Sequence, residues 1–150
     1  MLQLAPRIVI VMPDQWRRAL LRAALREAGY DAVGTRGLRQ ALLVPPSAPE
    51  RGPVRIIVLD QDALGDADLP RLEALRERHD RPAVVFLARA TVRPPEGPWH
   101  RVLRRPMSVA DLVIAAESML PLAPELRHAI DVTEARGATE STPERKRRRD

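Results

Sequence analysis

Short, continuous apolar runs alternate with amphipathic segments through most of the chain. The first run, "IVIVM" at 8–12, has no polar position, which predicts a strand buried on both faces of a sheet. Four more strands are predicted at 31–35, 56–59, 83–88 and 102–103. A sheet built from such runs has to be covered by helices on both sides.

Helix signals lie between the strands. Asp14 is placed to cap a first helix, and Gly29 is placed to end it. A short helix is predicted at 38–44, and a last helix begins at Ser108, which forms a capping-box pattern with Asp111. Within the first helix, spacings of three and four predict one inward face, made of Trp16, Leu20, Ala23, Ala24 and Ala28.

The alternation of strands and helices predicts an α/β domain with a doubly wound, five-stranded parallel sheet. Ligands of such sheets bind outside the carboxyl ends of the strands. In this chain those ends are occupied by Met12-Pro13-Asp14, Asp60, Leu87-Ala88 and Arg105-Pro106.

Composition excludes several kinds of function. The chain has no cysteine, which removes disulfides and thiolate metal sites, and its 3 histidines are scattered without a ligand spacing. Aromatic residues make up 3%, too few for a base-stacking platform. No apolar run approaches the ~18 residues of a membrane span, and the start does not resemble a signal peptide, so we expect a cytoplasmic location. Because there is neither a glycine-rich phosphate loop nor a Ser-His-Asp order, we expect no enzyme activity and no cofactor.

The strand ends resemble those of the receiver domain of bacterial two-component response regulators. The resemblance covers residues 7–120 and rests on the opening strand, "IIVLD" at 56–60, "AVVFLAR" at 83–89 and "RRPM" at 104–107. It implies a flavodoxin-like sheet with the strand order 2-1-3-4-5. It also implies that Asp60 matches the aspartate that accepts a phosphoryl group from a histidine kinase, while an acidic pair after the first strand helps to hold Mg²⁺.

Several positions depart from the family pattern. Leu87 falls on the Thr or Ser of the fourth strand, Val102 on an aromatic residue, and Arg105 on the Lys that precedes a cis-proline. Met12 and Pro13 occupy the acidic pair, and neither is a ligand for Mg²⁺, which requires oxygen atoms. These losses indicate a degenerate receiver, or pseudo-receiver.

In that degenerate pocket Asp60 is a candidate phosphoacceptor and is expected to be vestigial. The alternatives are that it is a salt-bridge partner or a strand-end carboxylate near solvent. Arg105 is expected either to pair with Asp60 or to bind phosphate. The chain is expected to hold no metal; Asp14, Asp60 and Asp62 are the candidate ligands if Asp14 turns inward instead of capping its helix. The side chain of Asp62 is expected to be solvated.

The segment "RATVRPPEGPWH" at 89–100 lies where the family has its fourth helix. Its prolines and glycine cannot sustain a helix interior, so this helix is predicted to be lost or replaced by a proline-rich loop. Trp99 and His100 on that loop are candidate interaction residues. The alternative is that Trp99 folds back over the space left by the missing helix.

The chain is divided into a receiver-like domain at 1–122 and a charged tail at 123–150, of which 131–150 is interpreted as disordered. A basic cluster ends the tail and is a candidate site for nucleic acid or anionic lipid: Arg145, Lys146, Arg147, Arg148 and Arg149. The alternative is a solvated tail, since residues 125–150 hold 7 basic and 6 acidic groups and the excess is one charge.

Three functions remain in competition. The first is a phosphorylation-independent protein–protein interaction module whose partner is another signalling protein: a kinase, a regulator or an output protein. The second is an atypical single-domain response regulator that is phosphorylated on Asp60 and uses Mg²⁺. The third is an adaptor that binds nucleic acid through the basic tail. The protein is expected to be a monomer or a weak homodimer.

Overall fold

The structure is a computed structural model, and it describes residues 4–122. Its elements, in chain order, are β1 (Arg7–Val11), α1 (Gln15–Glu27), β2 (Asp31–Thr35), α2 (Leu38–Ala41), β3 (Val54–Asp60), a 3₁₀ turn (Gln61–Ala63), α3 (Leu69–Arg78), β4 (Ala83–Ala88), β5 (Arg101–Arg104) and α4 (Val109–Met119). The five strands form one parallel sheet in the order β2-β1-β3-β4-β5, so the predicted fold class and strand order are confirmed.

The two faces of the sheet carry separate cores. Ile8 and Ile10 of β1 pack with buried residues of α1 and α4, whereas Val9 and Val11 pack with buried residues of α2 and α3. Because side chains alternate along a strand, a run with no polar position supplies both cores at once. The whole of β1 is buried, as the sequence predicts.

The predicted inward face of α1 is wrong. Trp16 and Leu20 are 73% and 44% exposed, while Leu21 and Leu25 are the buried residues of this helix. The helix carries apolar residues on two neighbouring faces. Leu21 and Leu25, each one position after a residue of the predicted face, are the pair that packs against the sheet. Burying each leucine contributes about 1.5–3 kcal/mol, so this pair determines the orientation of α1.

The helix ends follow the sequence more closely. Asp14 Oδ1 accepts a hydrogen bond from the Arg17 backbone N–H at 3.1 Å, and Gly29 follows the helix with a φ of 106°, in the left-handed region. Ser108 and Asp111 form the predicted capping box of α4. The helix expected at 38–44 is shorter and ends at Ala41.

Residues 89–100 connect β4 to β5 without a helix, which confirms the predicted loss. Trp99 folds back and stacks on Phe86, with ring centroids 4.1 Å apart and planes inclined by 20°. Its Nε1 donates to the Pro95 carbonyl at 2.7 Å, and a Cβ at Gly97 would overlap its ring. Of the two alternatives for Trp99, the structure therefore has the one that covers the space of the missing helix.

A fully buried arginine begins β1 and was not predicted. Arg7 Nε donates to the Gly52 carbonyl at 2.6 Å, whereas Nη1 and Nη2 have no hydrogen-bond partner among residues 4–122. Burial and the charge of Arg51 lower the pKa of Arg7, and Asp31 opposes them. In turn, burial and the charge of Arg7 lower the pKa of the buried His79.

No helix in the described part of the chain is both long enough and apolar enough to cross a membrane. The predicted basic cluster and the remainder of the tail lie outside the described residues.

Candidate functional site

Asp60 ends the central strand β3 at the carboxyl edge of the sheet. Its side chain is 1% exposed, so the prediction that it could be a carboxylate near solvent is wrong. Oδ1 lies 3.6 Å from Nη2 of Arg105, which is an ion pair but too long for a hydrogen bond. Neither carboxylate oxygen has a hydrogen-bond partner within the described chain.

Arg105 connects two carboxylates. While Nη2 faces Asp60, Nη1 donates to Oδ2 of Asp62 at 3.0 Å. Asp62 also accepts a hydrogen bond from Nε of Arg89 at 2.8 Å. The two acids and the two arginines therefore form one network, named here the strand-end network, and its formal charges cancel. The side chain of Asp62 is 40% exposed, in line with the expectation that it is solvated, but its ion pairs with the two arginines were not predicted.

The pKa values of the two carboxylates are shifted in opposite directions. Burial raises the pKa of Asp60, and the nearby charge of Arg105 only partly offsets that effect. Hydrogen bonds from Arg105 and Arg89 lower the pKa of Asp62. The buried acid therefore resists ionisation, whereas the exposed acid is held as a carboxylate.

The residues beside Asp60 on the neighbouring strands are apolar. Met12, which follows β1, and Leu87, which pairs with Asp60 across β3 and β4, are both completely buried in the core shared by α1 and α4. Neither side chain offers a hydroxyl or a carboxylate to a ligand. The backbone carbonyls after β1 are occupied as well, since Arg18 Nη1 donates to Met12 O at 2.9 Å and to Pro13 O at 3.3 Å.

The residues of this edge do not fit a magnesium ion. Mg²⁺ requires near-octahedral coordination by oxygen atoms. Of the carboxylates here, Asp62 is bound by two arginines, and Asp14 is exposed and caps α1 instead of turning inward. Across residues 4–122, there is no cluster of three or more His, Cys, Asp or Glu side chains able to hold a metal ion.

One member of the strand-end network, Arg89, was not predicted from the sequence. Arg89 follows β4 directly, and its backbone N–H donates to Gln61 Oε1 at 2.8 Å, while its side chain reaches Asp62. Its position at a strand end was a usable signal, because the carboxyl ends of parallel strands meet at one edge.

The predicted interaction residues lie apart from the strand-end network. His100 Nδ1 accepts a hydrogen bond from the Val84 backbone N–H at 3.0 Å, at the opposite end of β4 from Ala88. Trp99 is packed against Phe86, and its role in an interface stays a prediction. Pro106 follows a cis peptide bond after Arg105, as the resemblance implies.

An apolar groove of about 380 Å³ adjoins the network. It lies between α1 and the start of α4, and its lining includes Leu20, Leu21, Met107 and Val109. Arg105 lines it from the side of the network. The exposed part of Leu20 therefore belongs to a concave surface.

Comparison with known proteins gives the fold but no close relative. No protein-family model matches the chain, and no curated protein sequence matches it. Solved structures do match. A response regulator from Thermotoga maritima has a TM-score of 0.59 at 13% identity, covering 79% of this chain and 100% of that one. The chemotaxis protein CheY4 of Vibrio cholerae has a TM-score of 0.61 at 18% identity, covering 77% of this chain and 99% of that one.

A third match is the receiver domain of sensor histidine kinase PA1611 from Pseudomonas aeruginosa PAO1, which has a magnesium ion coordinated in its active site cleft. The TM-score is 0.58 at 18% identity, covering 77% of this chain and 97% of that one. At such identities the likeness shows the fold alone. By fold, then, this chain is a flavodoxin-like α/β protein, similar in structure to response regulators and receiver domains.

Proposed function

We propose that this chain is a receiver-like signalling module of a bacterial two-component or phosphorelay system that acts through protein–protein contacts, without phosphorylation of Asp60. One observation carries the proposal. Arg105 bridges Asp60 to Asp62, at the place where an active receiver needs a metal ion and room for a phosphoryl group. Phosphoryl transfer depends on positioning and on neutralising charge with such groups.

The electrostatics of Asp60 support the same conclusion. An aspartate attacks phosphorus as its carboxylate, and burial raises the pKa of Asp60, which favours the uncharged acid. The hydroxyl that would bond the phosphoryl oxygens is replaced by the buried Leu87. An apolar side chain at this position has no means of reporting phosphorylation.

A small phosphodonor tests this proposal. The full chain is incubated with acetyl phosphate and Mg²⁺, and intact mass is recorded for the protein and for Asp60→Asn. An active receiver domain serves as the positive control, and Asp66→Asn is the matched acid substitution on the exposed surface. We expect no added phosphoryl mass on this chain under conditions that label the control. Labelling that disappears in Asp60→Asn but persists in Asp66→Asn would refute the proposal.

The same experiment decides the second candidate function, a phosphoacceptor at Asp60. What favours that candidate is the placement of a buried acid at the end of the central strand with a cation 3.6 Å away. It requires either a Mg²⁺ ion, as the sequence resemblance implies, for which the strand-end network has to open, or the two arginines in place of that ion. Labelling without Mg²⁺ would support it, and labelling that depends on Mg²⁺ would show that the network opens to admit an ion.

The partner is proposed to be another signalling protein, and the apolar groove beside α1 is the surface proposed to meet it. Trp16 and Leu20 are exposed apolar side chains on this helix, and such residues are typical anchors of an interface. Capture from the source cell is compared for the native chain, Trp16→Ala/Leu20→Ala and Asp60→Asn. We expect one protein to be lost with the double variant and retained with Asp60→Asn. The reverse pattern would place recognition at the strand-end network.

A further inference from the structure

A second groove, of about 430 Å³, lies between α1 and the open edge of the sheet at β2. Arg18, Arg22 and Arg26 line it from α1. Residues four apart share one side of a helix, with a rise of about 6 Å per step, so these three form a row along the groove. This surface is named here the arginine groove.

The charge of the arginine groove is almost entirely positive. Among its described lining residues the single acid is Asp31, and Arg51 neutralises it with hydrogen bonds of 2.8–3.0 Å to both carboxylate oxygens. The first turn of α1 has no acidic residue. The row on α1 therefore has a net positive charge that the groove itself does not balance.

The arginines also cover the edge of the sheet. The backbone groups of Asp31 and Thr35 form hydrogen bonds on the β1 side. Because backbone groups of successive residues in a strand point in alternate directions, those of Ala32 and Gly34 face the open edge of the sheet. Arg22 Nε reaches the Ala32 carbonyl at 3.4 Å. The stem of Arg18 crosses Gly34, where an added Cβ would lie 3.1 Å from Arg18 Cγ. A peptide strand would have to displace both side chains to pair with β2.

We propose that the arginine groove binds the phosphate backbone of a nucleic acid without reading its bases. Guanidinium groups match phosphate in a bidentate geometry, and a row of them follows a repeating anion. The described lining has no aromatic side chain on which a base would stack. An acidic peptide is the weaker candidate, because the sheet edge is covered and small residues such as Ala19 offer no anchor pocket.

This proposal differs from binding through the basic tail, and the salt dependence of binding separates the two. Each phosphate neutralised by a cation contributes about −0.9 to the slope of log K against log salt concentration on duplex DNA. The row of three arginines therefore adds a defined slope that persists when the tail is neutralised.

The test uses the full chain with the tail cluster neutralised by Arg145→Gln, Lys146→Gln, Arg147→Gln, Arg148→Gln and Arg149→Gln. Binding of a fluorescent duplex of arbitrary sequence is followed by anisotropy over a range of salt concentrations. Into this background go Arg22→Gln/Arg26→Gln and, as a matched control, Arg39→Gln/Arg93→Gln. The control residues are exposed and lie outside the groove.

We expect the tail-neutralised chain to bind, and the groove pair to weaken the slope by about 1.8 and the affinity by about a hundredfold at 50 mM salt. The control pair should change the affinity by less than about threefold. Circular dichroism and a thermal melt establish that each variant is folded. Should Arg22→Gln disturb the edge of β2, Arg26→Gln alone is expected to weaken the slope by about 0.9, since its side chain makes no hydrogen bond or ion pair within residues 4–122.

Three outcomes would overturn the proposal. Absence of binding by the tail-neutralised chain would assign all affinity to the tail. Equal losses in the groove and control pairs would show a response to net charge alone. Binding of a polyglutamate peptide or of anionic vesicles that exceeds DNA binding, and is lost in the groove pair, would assign the groove to a different polyanion.

Discussion

Removing Arg105 is expected to destabilise the fold in a manner that depends on pH. In Arg105→Ala the carboxylate of Asp60, which is 1% exposed, loses the guanidinium 3.6 Å away. Removing one partner of a buried ion pair costs about 3–5 kcal/mol when the remaining charge stays buried. Asp62 loses one of its two arginines as well, but it is 40% exposed and remains bound to Arg89, so that loss adds less than about 1 kcal/mol.

Protonation of Asp60 limits the loss of stability that Arg105→Ala causes. Burial already raises the pKa of this group above its usual range, and loss of Arg105 raises it further. Because the pKa of Asp60 is higher in the folded chain than in the unfolded chain, the unfolded chain loses this proton first as pH rises. The free energy of unfolding therefore falls as pH rises from about 4 toward the pKa of Asp60 in the folded chain. Below about pH 4 both states are protonated and the difference between the variant and the native chain becomes small. Near pH 7.5 we expect the free energy of unfolding to drop by about 3 kcal/mol.

Urea denaturation of the full chain, followed by circular dichroism at several pH values, measures this difference. Asp60→Asn combined with Arg105→Ala should recover most of the loss at pH 7.5, since no charge is left in the core. The matched control is Arg71→Ala, which breaks the 2.7 Å pair with Asp68 on the surface and should cost less than about 1 kcal/mol. A loss for Arg105→Ala that is equal at pH 5 and pH 8, or that Asp60→Asn does not relieve, would refute the charge coupling.

Four further variants test the packing and the titration described above, each by urea denaturation. Leu21→Ala should cost about 2–5 kcal/mol and Leu20→Ala less than about 1, because only the first is buried against the sheet; equal costs would contradict the observed face of α1. Trp99→Ala should cost about 2 kcal/mol through the lost stacking on Phe86, and a neutral result would show that the ring does not stabilise the loop. Since the pKa of His79 is lowered in the folded state by burial and by Arg7, the unfolded chain binds its proton first and stability is lost as pH falls below about 6.5; His79→Gln should remove that loss, and an unchanged pH profile would locate the titration elsewhere.

Strands were the most predictable part of this chain, for a physical reason. A strand buried on both faces is apolar at all but its end positions, so its ends lie close to the first polar residue or turn. The run at 83–88 matches β4, and the run ending at Asp60 matches the end of β3. Capping residues were equally readable, because a cap depends on a side chain and a backbone group three residues apart, as with Ser108 and Asp111.

The burial and the partners of a residue could not be predicted from the local sequence where they depend on residues far away in the chain. The face of α1 was ambiguous because Leu20 and Leu21 are both apolar, and only the shape of the sheet decides which is buried. The ion pair of Asp62 was not predicted because its partner Arg105 lies 43 positions away. Arginine usually lies at the surface of a protein, and no local pattern in the sequence indicates that Arg7 is buried or that its Nε donates to the carbonyl of Gly52.

The strand-end network neutralises the acids at the carboxyl edge of the sheet with side chains of the chain itself. Asp60 ends β3 and Asp62 lies two residues further on, in the 3₁₀ turn, so the two carboxylates would repel each other if nothing neutralised them; indeed Asp62 raises the pKa of Asp60. A divalent ion is one remedy, and two fixed guanidinium groups are another. With Arg89 and Arg105 in place, an arriving Mg²⁺ would meet acids that are already neutralised and would have to displace a cation bound at 2.8–3.0 Å. Met12 and Pro13, whose side chains offer no carboxylate, and these arginines thus act in the same direction, and introducing carboxylates at 12 and 13 alone would leave the arginines in competition with the ion.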